Sequence, residues 1–293
     1  MDFIKQIPAI ILQKDSVSGD STTKQSSDYV ITEQRIALYL NGQKLLSTMS
    51  LPKDQDAHAV GFLMSEGVIE SAKDITHIEV AQDGLSVSVE AKINEEKIVN
   101  LFHEKTLTSG CCVGVSANFE GKIIQKFIST PLHLPLPRLW NLIENFEVDS
   151  DLFAKTGCVH RAILVLSDES RIESEDVGRH NAIDKVVGKA RLQDIDISEA
   201  VLVVSGRLSM EMIIKAAMHD IAIVISRSAT TELGIKAAAL LGITLVGFAR
   251  GNRCNIYTHP YRILGEQGMV DSHNKTTKAK EREKEAKKLF CNM

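Results

Sequence analysis

Two adjacent cysteines, Cys111 and Cys112, stand in the small-residue stretch Thr106-Leu-Thr-Ser-Gly-Cys-Cys-Val-Gly-Val-Ser116, bracketed by Gly110 and Gly114. Glycine reaches φ > 0 and has no side chain to pack, so this stretch is expected as a mobile arm that carries a thiol between partners. The thiolate is the nucleophile in sulfur chemistry, and a free cysteine with a pKa of about 8.5 is mostly protonated at neutral pH, so nearby positive charge would help. His103 and Lys105 lie close in sequence. With Cys158, Cys254 and Cys291 the chain has 5 cysteines, an odd number spread thinly, which is not a disulfide framework. Reduced, reactive or metal-binding thiols remain. A structural zinc site built from Cys111, Cys112, Cys158 and His160 has suitable ligand types, but neighbouring cysteines suit a tetrahedron poorly.

Arginine forms the second candidate. Val201-Leu-Val-Val204 runs into Ser205-Gly206-Arg207, Ile223-Val-Ile225 into Ser226-Arg227-Ser228, and Leu245-Val-Gly-Phe248 into Ala249-Arg250-Gly251-Asn252-Arg253. In an open α/β sheet, ligands gather at the carboxyl ends of the strands, where helix N-termini point free N–H groups. If the three strands are parallel, their arginines share one rim. Guanidinium groups bind phosphate oxygens through paired hydrogen bonds, so the expected ligand is anionic and phosphorylated. The competing reading is that arginines after strands simply meet water.

The third is the polar run Ser174-Glu-Asp-Val-Gly-Arg-His-Asn-Ala-Ile-Asp-Lys185. Gly178 would allow a turn, Arg179 could hold an anion, His180 could move a proton or orient Asp176, and Asn181 would cap a following helix. An exposed turn with a good cap explains the same residues equally well.

The elements that must position these groups follow from pattern. Ile36-Ala-Leu-Tyr-Leu40, Asn41-Gly42 and Lys44 to Met49 predict a hairpin. A helix is expected from Pro52 to a Gly67 cap, followed by short strands over 75–80 and 85–89. The Pro-rich piece Pro131-Leu-His-Leu-Pro-Leu-Pro137 marks a boundary, with helices expected over 138–146 and 149–155. Beyond it strand and helix patterns alternate: strands over 162–166, 200–204, 221–225 and 244–248, helices over 181–190, 209–218 and 231–241. That order calls for a mixed or parallel sheet with helices on its faces.

The expected organisation is a loose tail over 1–30, a small α+β unit over 31–103, the cysteine arm and a linking strand over 104–130, an α/β ligand-binding domain over 131–265, and a solvated charged tail over 266–293. The 293 residues, 44% hydrophobic and 25% charged, suffice for real cores. A net charge of −4 argues against bulk affinity for nucleic acid or anionic membrane. With no apolar run near the roughly 18 residues of a membrane span, and no basic start like that of a signal peptide, the expected location is the cytoplasm.

The segments Thr156-Gly157-Cys158-Val159-His160, Glu175 to Lys185, Ser205-Gly-Arg207 and Gly247-Phe-Ala-Arg-Gly251, with Tyr257-Thr258, resemble the formate dehydrogenase accessory sulfurtransferase (FdhD) family, as do Met49-Ser-Leu-Pro52, Gly61-Phe62 and Ser65-Glu66-Gly67. The resemblance runs from about Ile31 to Arg262. It implies a carrier that takes persulfide sulfur from a cysteine desulfurase and passes it to the molybdenum or tungsten bis-pterin guanine dinucleotide cofactor that formate dehydrogenase needs. That compound is bound as substrate, without a tightly held metal of the carrier's own. It also implies a homodimer, and a three-layer α/β second domain similar to the cytidine deaminase fold. The chain has neither the His-x-Glu helix nor the Cys-x-x-Cys pair a zinc deaminase requires.

By the same resemblance, whose arm typically reads Gly-Cys-Gly-x-Cys-Gly, Cys111 is the persulfide carrier, and Phe248, Ala249, Arg250, Gly251, Asn252 and Arg253 contact the cofactor, alongside Arg179, His180, Ser205, Arg207 and Arg227. Here Gly114 stands where the family usually has its second cysteine, and Cys112 stands where it usually has glycine. Either Cys111 works alone, the favoured reading, or Cys112 takes the second role despite the strain of bonding neighbours about 3.8 Å apart. The alternative function is a cofactor-binding chaperone that moves no sulfur.

Overall fold

A computed structural model describes residues 3–93, 106–107, 113–114, 126–148 and 150–265, together with residues 285, 288 and 289. Two core-bearing sheets organise the chain.

The first sheet contains β3 (Gln34–Leu40), β4 (Gln43–Ser50), β5 (Ile75–Val80) and β6 (Ser86–Ala91) in the order β4-β3-β6-β5. Asn41 and Gly42 both take positive φ, 48° and 79°, as the tight turn between β3 and β4 requires. β3 and β6 run parallel, with α1 (Gln55–Ser65) on the connection between them. Ile36, Leu38, Val60, Leu63, Val87 and Val89 fill the small core between helix and sheet.

The second sheet has the order β10-β9-β11-β12-β13-β14. Its strands are β9 (His160–Val165), β10 (Arg171–Asp176), β11 (Val201–Val204), β12 (Ile223–Ser226), β13 (Thr244–Arg250) and β14 (Arg253–Thr258). β11, β12 and β13 are parallel neighbours, and the outer strands pair antiparallel. Residues 201–204 and 223–226 are buried throughout, which explains the apolar runs over 201–204 and 223–225. Helices α2 (Leu136–Val148), α3 (Asp151–Thr156), α4 (Arg179–Leu192), α5 (Met210–Met218), α6 (Glu232–Leu241) and α7 (Tyr261–Leu264) complete the described fold. The α+β architecture and the alternating order from β11 to β13 match expectation.

Three expectations need correction. The segment read as a loose tail over 1–30 is a hairpin of β1 (Ile4–Lys14) and β2 (Ser21–Ile31), paired from Ile4↔Ile31 to Lys14↔Ser21. Its polar second strand concealed a partner for the apolar run Ile7 to Leu12. α4 begins at Arg179 rather than Asn181, with Gly178 as N-cap and no side-chain cap bond. Arg171–Asp176 and Arg253–Thr258, to which the sequence pattern assigns no element, are strands. As outer strands of the sheet they tolerate polar residues that an inner strand would bury.

The two units meet where α1 crosses α4 at backbone contact. A Cβ on Gly61 would lie 1.8 Å from the carbonyl oxygen of Asp184, and one on Gly188 would lie 1.8 Å from that of Ala57. Neither position has room for any other residue.

Candidate functional site

Strand direction assembles the site. Val204 pairs with Ser226 and Ile225 with Val246, so β11, β12 and β13 end along one edge of the sheet. Ser205-Gly-Arg207, Arg227-Ser228 and the segment after Val246 therefore leave from the same side. Hydrogen bonds tie these loops together: Ser226 Oγ–H donates to Gly206 O (2.6 Å), Arg227 N–H to Val204 O (3.1 Å), and Phe248 N–H to Ser228 O (2.9 Å).

Arg207 is exposed and Arg227 half-buried, while β13 runs on past its pairing with β12 so that exposed Arg250 sits beside the turn to Arg253. Phe248 takes a positive φ of 51°, and the Arg250 guanidinium lies 5.9 Å from its ring centre. Ala249 is buried; Gly251, Asn252 and Arg253 are exposed.

The outer strands add residues that sequence order alone does not place there. β9 runs antiparallel to β11 and starts at this edge, and β10 ends at it, with Asp176 opposite His160. His160 and the start of α4, Arg179 and His180, thus join the Ser205-Gly-Arg207 loop. A Cβ on Gly206 would sit 2.9 Å from Arg179 Cβ and 3.4 Å from His160 Nδ1. His160 Nδ1 lies 3.2 Å from Ser205 Oγ, which also accepts the Arg161 N–H at 3.0 Å. Burial, followed by the charge of Arg179, holds the His160 pKa below its ordinary value. Cys158 is exposed two residues earlier.

His180 does not orient Asp176. Its Nε2 lies 3.2 Å from Glu211 Oε2 in the first turn of α5. Asp176 faces the other way, into the junction between the units, where its Oδ2 accepts from Lys185 Nζ (2.6 Å), Ser50 Oγ–H (2.6 Å) and Leu51 N–H (3.0 Å). Burial, the largest single influence, opposes the Asp176 charge, but Lys185, His58 and the Ser50 hydrogen bond together outweigh it and the pKa falls below the usual carboxylate range. Asn181, expected as a helix cap, instead donates to Met49 O (3.0 Å) and Asp176 Oδ1 (2.9 Å).

A second knot lies beside the first. Lys215 Nζ donates to both oxygens of Asp184 at 2.9 Å and reaches Glu66 Oε1 at 3.4 Å, while Ser65 Oγ–H donates to Asp184 Oδ1 at 2.7 Å. One half of the polar run therefore faces the rim and the other half fastens the two units. Its composition shows no difference between the halves; Glu211, Ser50 and Ser65 were missed because each meets its partner across more than thirty residues of chain.

Cys111 and Cys112 lie outside the described residues. The two-residue strands β7 (Thr106–Leu107) and β8 (Val113–Gly114) that flank them pair antiparallel, Thr106 with Gly114 and Leu107 with Val113. Among the described residues no helix is long and apolar enough to cross a membrane.

Known proteins resemble this chain in sequence and fold. The family model described as FdhD/NarQ matches residues 31–264. The chain is 63% identical over 239 residues to a sulfur carrier protein FdhD of Wolinella succinogenes, covering 82% of this chain and 84% of that one. It is 34% identical over 246 residues to the protein of the same name in Listeria monocytogenes, covering 83% and 94% of the two chains. Its fold is similar to the crystal structure of a candidate formate dehydrogenase accessory protein from Desulfotalea psychrophila, with TM-score 0.66, 27% identity, and coverage of 88% of this chain and 99% of that one. With most of the chain matched by the family model and by relatives above 30% identity, this protein belongs to the FdhD/NarQ family.

Proposed function

We propose that this chain is a sulfur carrier that accepts sulfur on Cys111 from a cysteine desulfurase and passes it to the bis-pterin guanine dinucleotide metal cofactor required by formate dehydrogenase. The names of the relatives support the carrier role, and that of the structural neighbour supports the link to formate dehydrogenase. The observation that carries the reading is the common edge at which β10, β11, β12 and β13 end and β9 begins. Arg179, Arg207, Arg227 and Arg250 come from four separate segments at that edge, a cationic ledge suited to a nucleotide's phosphates.

Loading is a thiol–persulfide exchange. The Cys111 thiolate attacks the terminal sulfur of the donor persulfide and the donor's S–S bond breaks. The donor thiolate leaves and takes up a proton, and the new S–S bond leaves a persulfide on Cys111 with no net oxidation. The role of the chain's other residues is to hold the acceptor compound: arginines on its phosphates, helix-start amides beside them.

Incubation with a desulfurase and cysteine, followed by intact-mass measurement, is expected to show one added sulfur atom on the wild type and none on Cys111→Ala. The same variant is expected to retain nucleotide binding while failing to restore formate dehydrogenase in cells lacking the carrier. Full rescue by Cys111→Ala would replace this reading with that of a cofactor-binding chaperone, which the glycine at position 114 favours.

A further inference from the structure

We propose that the corner formed by His160, Arg179, Ser205 and Arg207 binds a phosphate-class group and takes up a proton at His160 as it does so. This rests on the ledge being the anion site and adds to it a specific contact and a pH response.

The geometry begins with Ser205. Its Oγ accepts the Arg161 N–H at 3.0 Å, and the acceptor near its own proton is His160 Nδ1 at 3.2 Å. With His160 held neutral by burial and by Arg179, Nδ1 can accept that hydroxyl hydrogen while Nε2 carries the ring's own.

The surroundings explain why it stays neutral without a ligand. Arg179 and His180 act on it from α4, Arg207 from the loop after β11, and Asp176 from β10. Asp176 is the one carboxylate among these groups, and it is already matched by Lys185 at 2.6 Å. Glu211 lies against His180, 3.2 Å from its Nε2. On the histidine's own strand Arg161 is engaged with Glu173. His160 therefore stands between cations with no acid of its own, and both burial and its neighbours push its pKa down. Gly206 allows this crowding, since a Cβ there would approach Arg179 Cβ to 2.9 Å.

An anion set against Arg179 and Arg207 reverses the balance. Its charge raises the histidine's proton affinity, and once Nδ1 is protonated it donates to Ser205 Oγ. The serine hydroxyl then turns its hydrogen outward, so one proton taken from solvent frees the hydroxyl as a donor for the ligand beside a ring that is now cationic. By linkage, affinity must rise as pH falls through the histidine's titration, by up to about tenfold per unit for one proton. A histidine that only packed against its neighbours would show no such coupling.

The test is calorimetric titration of the full-length protein with sulfate, a dianion of phosphate shape that does not titrate near neutrality, and with GDP, in buffers of differing ionisation heat between pH 6 and pH 8. The expected result is net proton uptake by the wild type for both probes, and tighter binding at lower pH. His160→Gln is expected to lose the extra proton with sulfate and, with it, the rise in affinity as pH falls. With GDP, the wild-type-minus-variant difference removes the nucleotide's own titration.

Arg207→Ala, a change at an exposed side chain, is expected to weaken both probes while moving the His160 ring resonance to titrate at higher pH in the free protein. Uptake of GDP alone would assign the corner to a nucleotide and not to free phosphate. Binding without proton uptake, or uptake that persists in His160→Gln, overturns this inference and leaves the ledge standing. Failure of both probes to bind removes the ledge as well, whereas sulfur loading on Cys111 is measured independently of either.

Discussion

Lys185 is fully buried in both side chain and charge, and the partner that holds it is Asp176, 2.6 Å away and equally buried. A cation in such a place is stable only while its carboxylate and the Leu51 carbonyl (2.8 Å) remain. Lys185→Met leaves Asp176 as an uncompensated buried anion, and the expected cost is about 3–5 kcal/mol in urea unfolding. The neighbouring knot has one ammonium, Lys215, for two carboxylates. Asp184 is nearer and takes the charge, so burial raises the Glu66 pKa to about 7. A carboxyl with a raised folded-state pKa contributes stability in full below its unfolded value, and that contribution is lost as pH rises toward 7. Glu66→Gln is therefore expected to gain stability relative to wild type between about pH 4.5 and pH 7, with a flat difference on either side, as read from urea midpoints at each pH. A difference that does not vary with pH would refute the assignment. His58 works in the opposite direction: burial lowers its pKa to about 4, so its contribution is present above its ordinary value and is lost in acid.

Elements are placed here by how closely they approach. α1 and α4 touch backbone to backbone because Gly61 and Gly188 lack side chains, and this crossing brings Ser50, Leu51 and Ser65 onto the carboxylates of Asp176 and Asp184. Gly188→Ala forces the helices apart and is expected to cost at least about 3 kcal/mol, near the upper end of overpacking penalties. The loss should exceed that of Ala190→Gly on the same helix, where the change is mainly one of helix propensity, about 1 kcal/mol, plus a small cavity. Parallel melting curves of the two variants decide the order. Beside α5, Thr231 caps α6 through the Gly234 N–H at 3.0 Å, and Gly242 ends it with φ 78°, both as the local sequence indicates.

For the molecule as a whole, the family match starts at residue 31, where the N-terminal hairpin ends. Both strands of that hairpin are largely exposed, Ile10 at 72% and Leu12 at 67%, so it adds little to either core. Removing residues 1–30 is expected to shift the melting temperature of the remainder by less than about 4 °C, corresponding to no more than about 1 kcal/mol. A larger drop would show that the hairpin braces the main body. The ledge also belongs to this scale, since no single loop makes it. Arg207→Ala combined with Arg227→Ala is expected to weaken GDP binding at least tenfold, with a smaller effect at high salt because exposed charges are screened.

The sequence by itself determined the elements built from local signals. The Asn41-Gly42 turn, the buried runs at 201–204 and 223–226, the caps of α6 and the alternation that makes β11 to β13 parallel are all consequences of neighbouring residues. Three of the four ledge arginines could be placed from that alternation. Tertiary structure decided what depends on partners distant in the chain: that β10 returns to the same edge and brings Arg179 with it, that His160 rests on Ser205, and that Asp176, Asn181, Asp184 and Lys185 turn inward. A polar side chain reads the same in sequence whether its partner is water or a buried charge, so only the folded chain shows which of the two it meets.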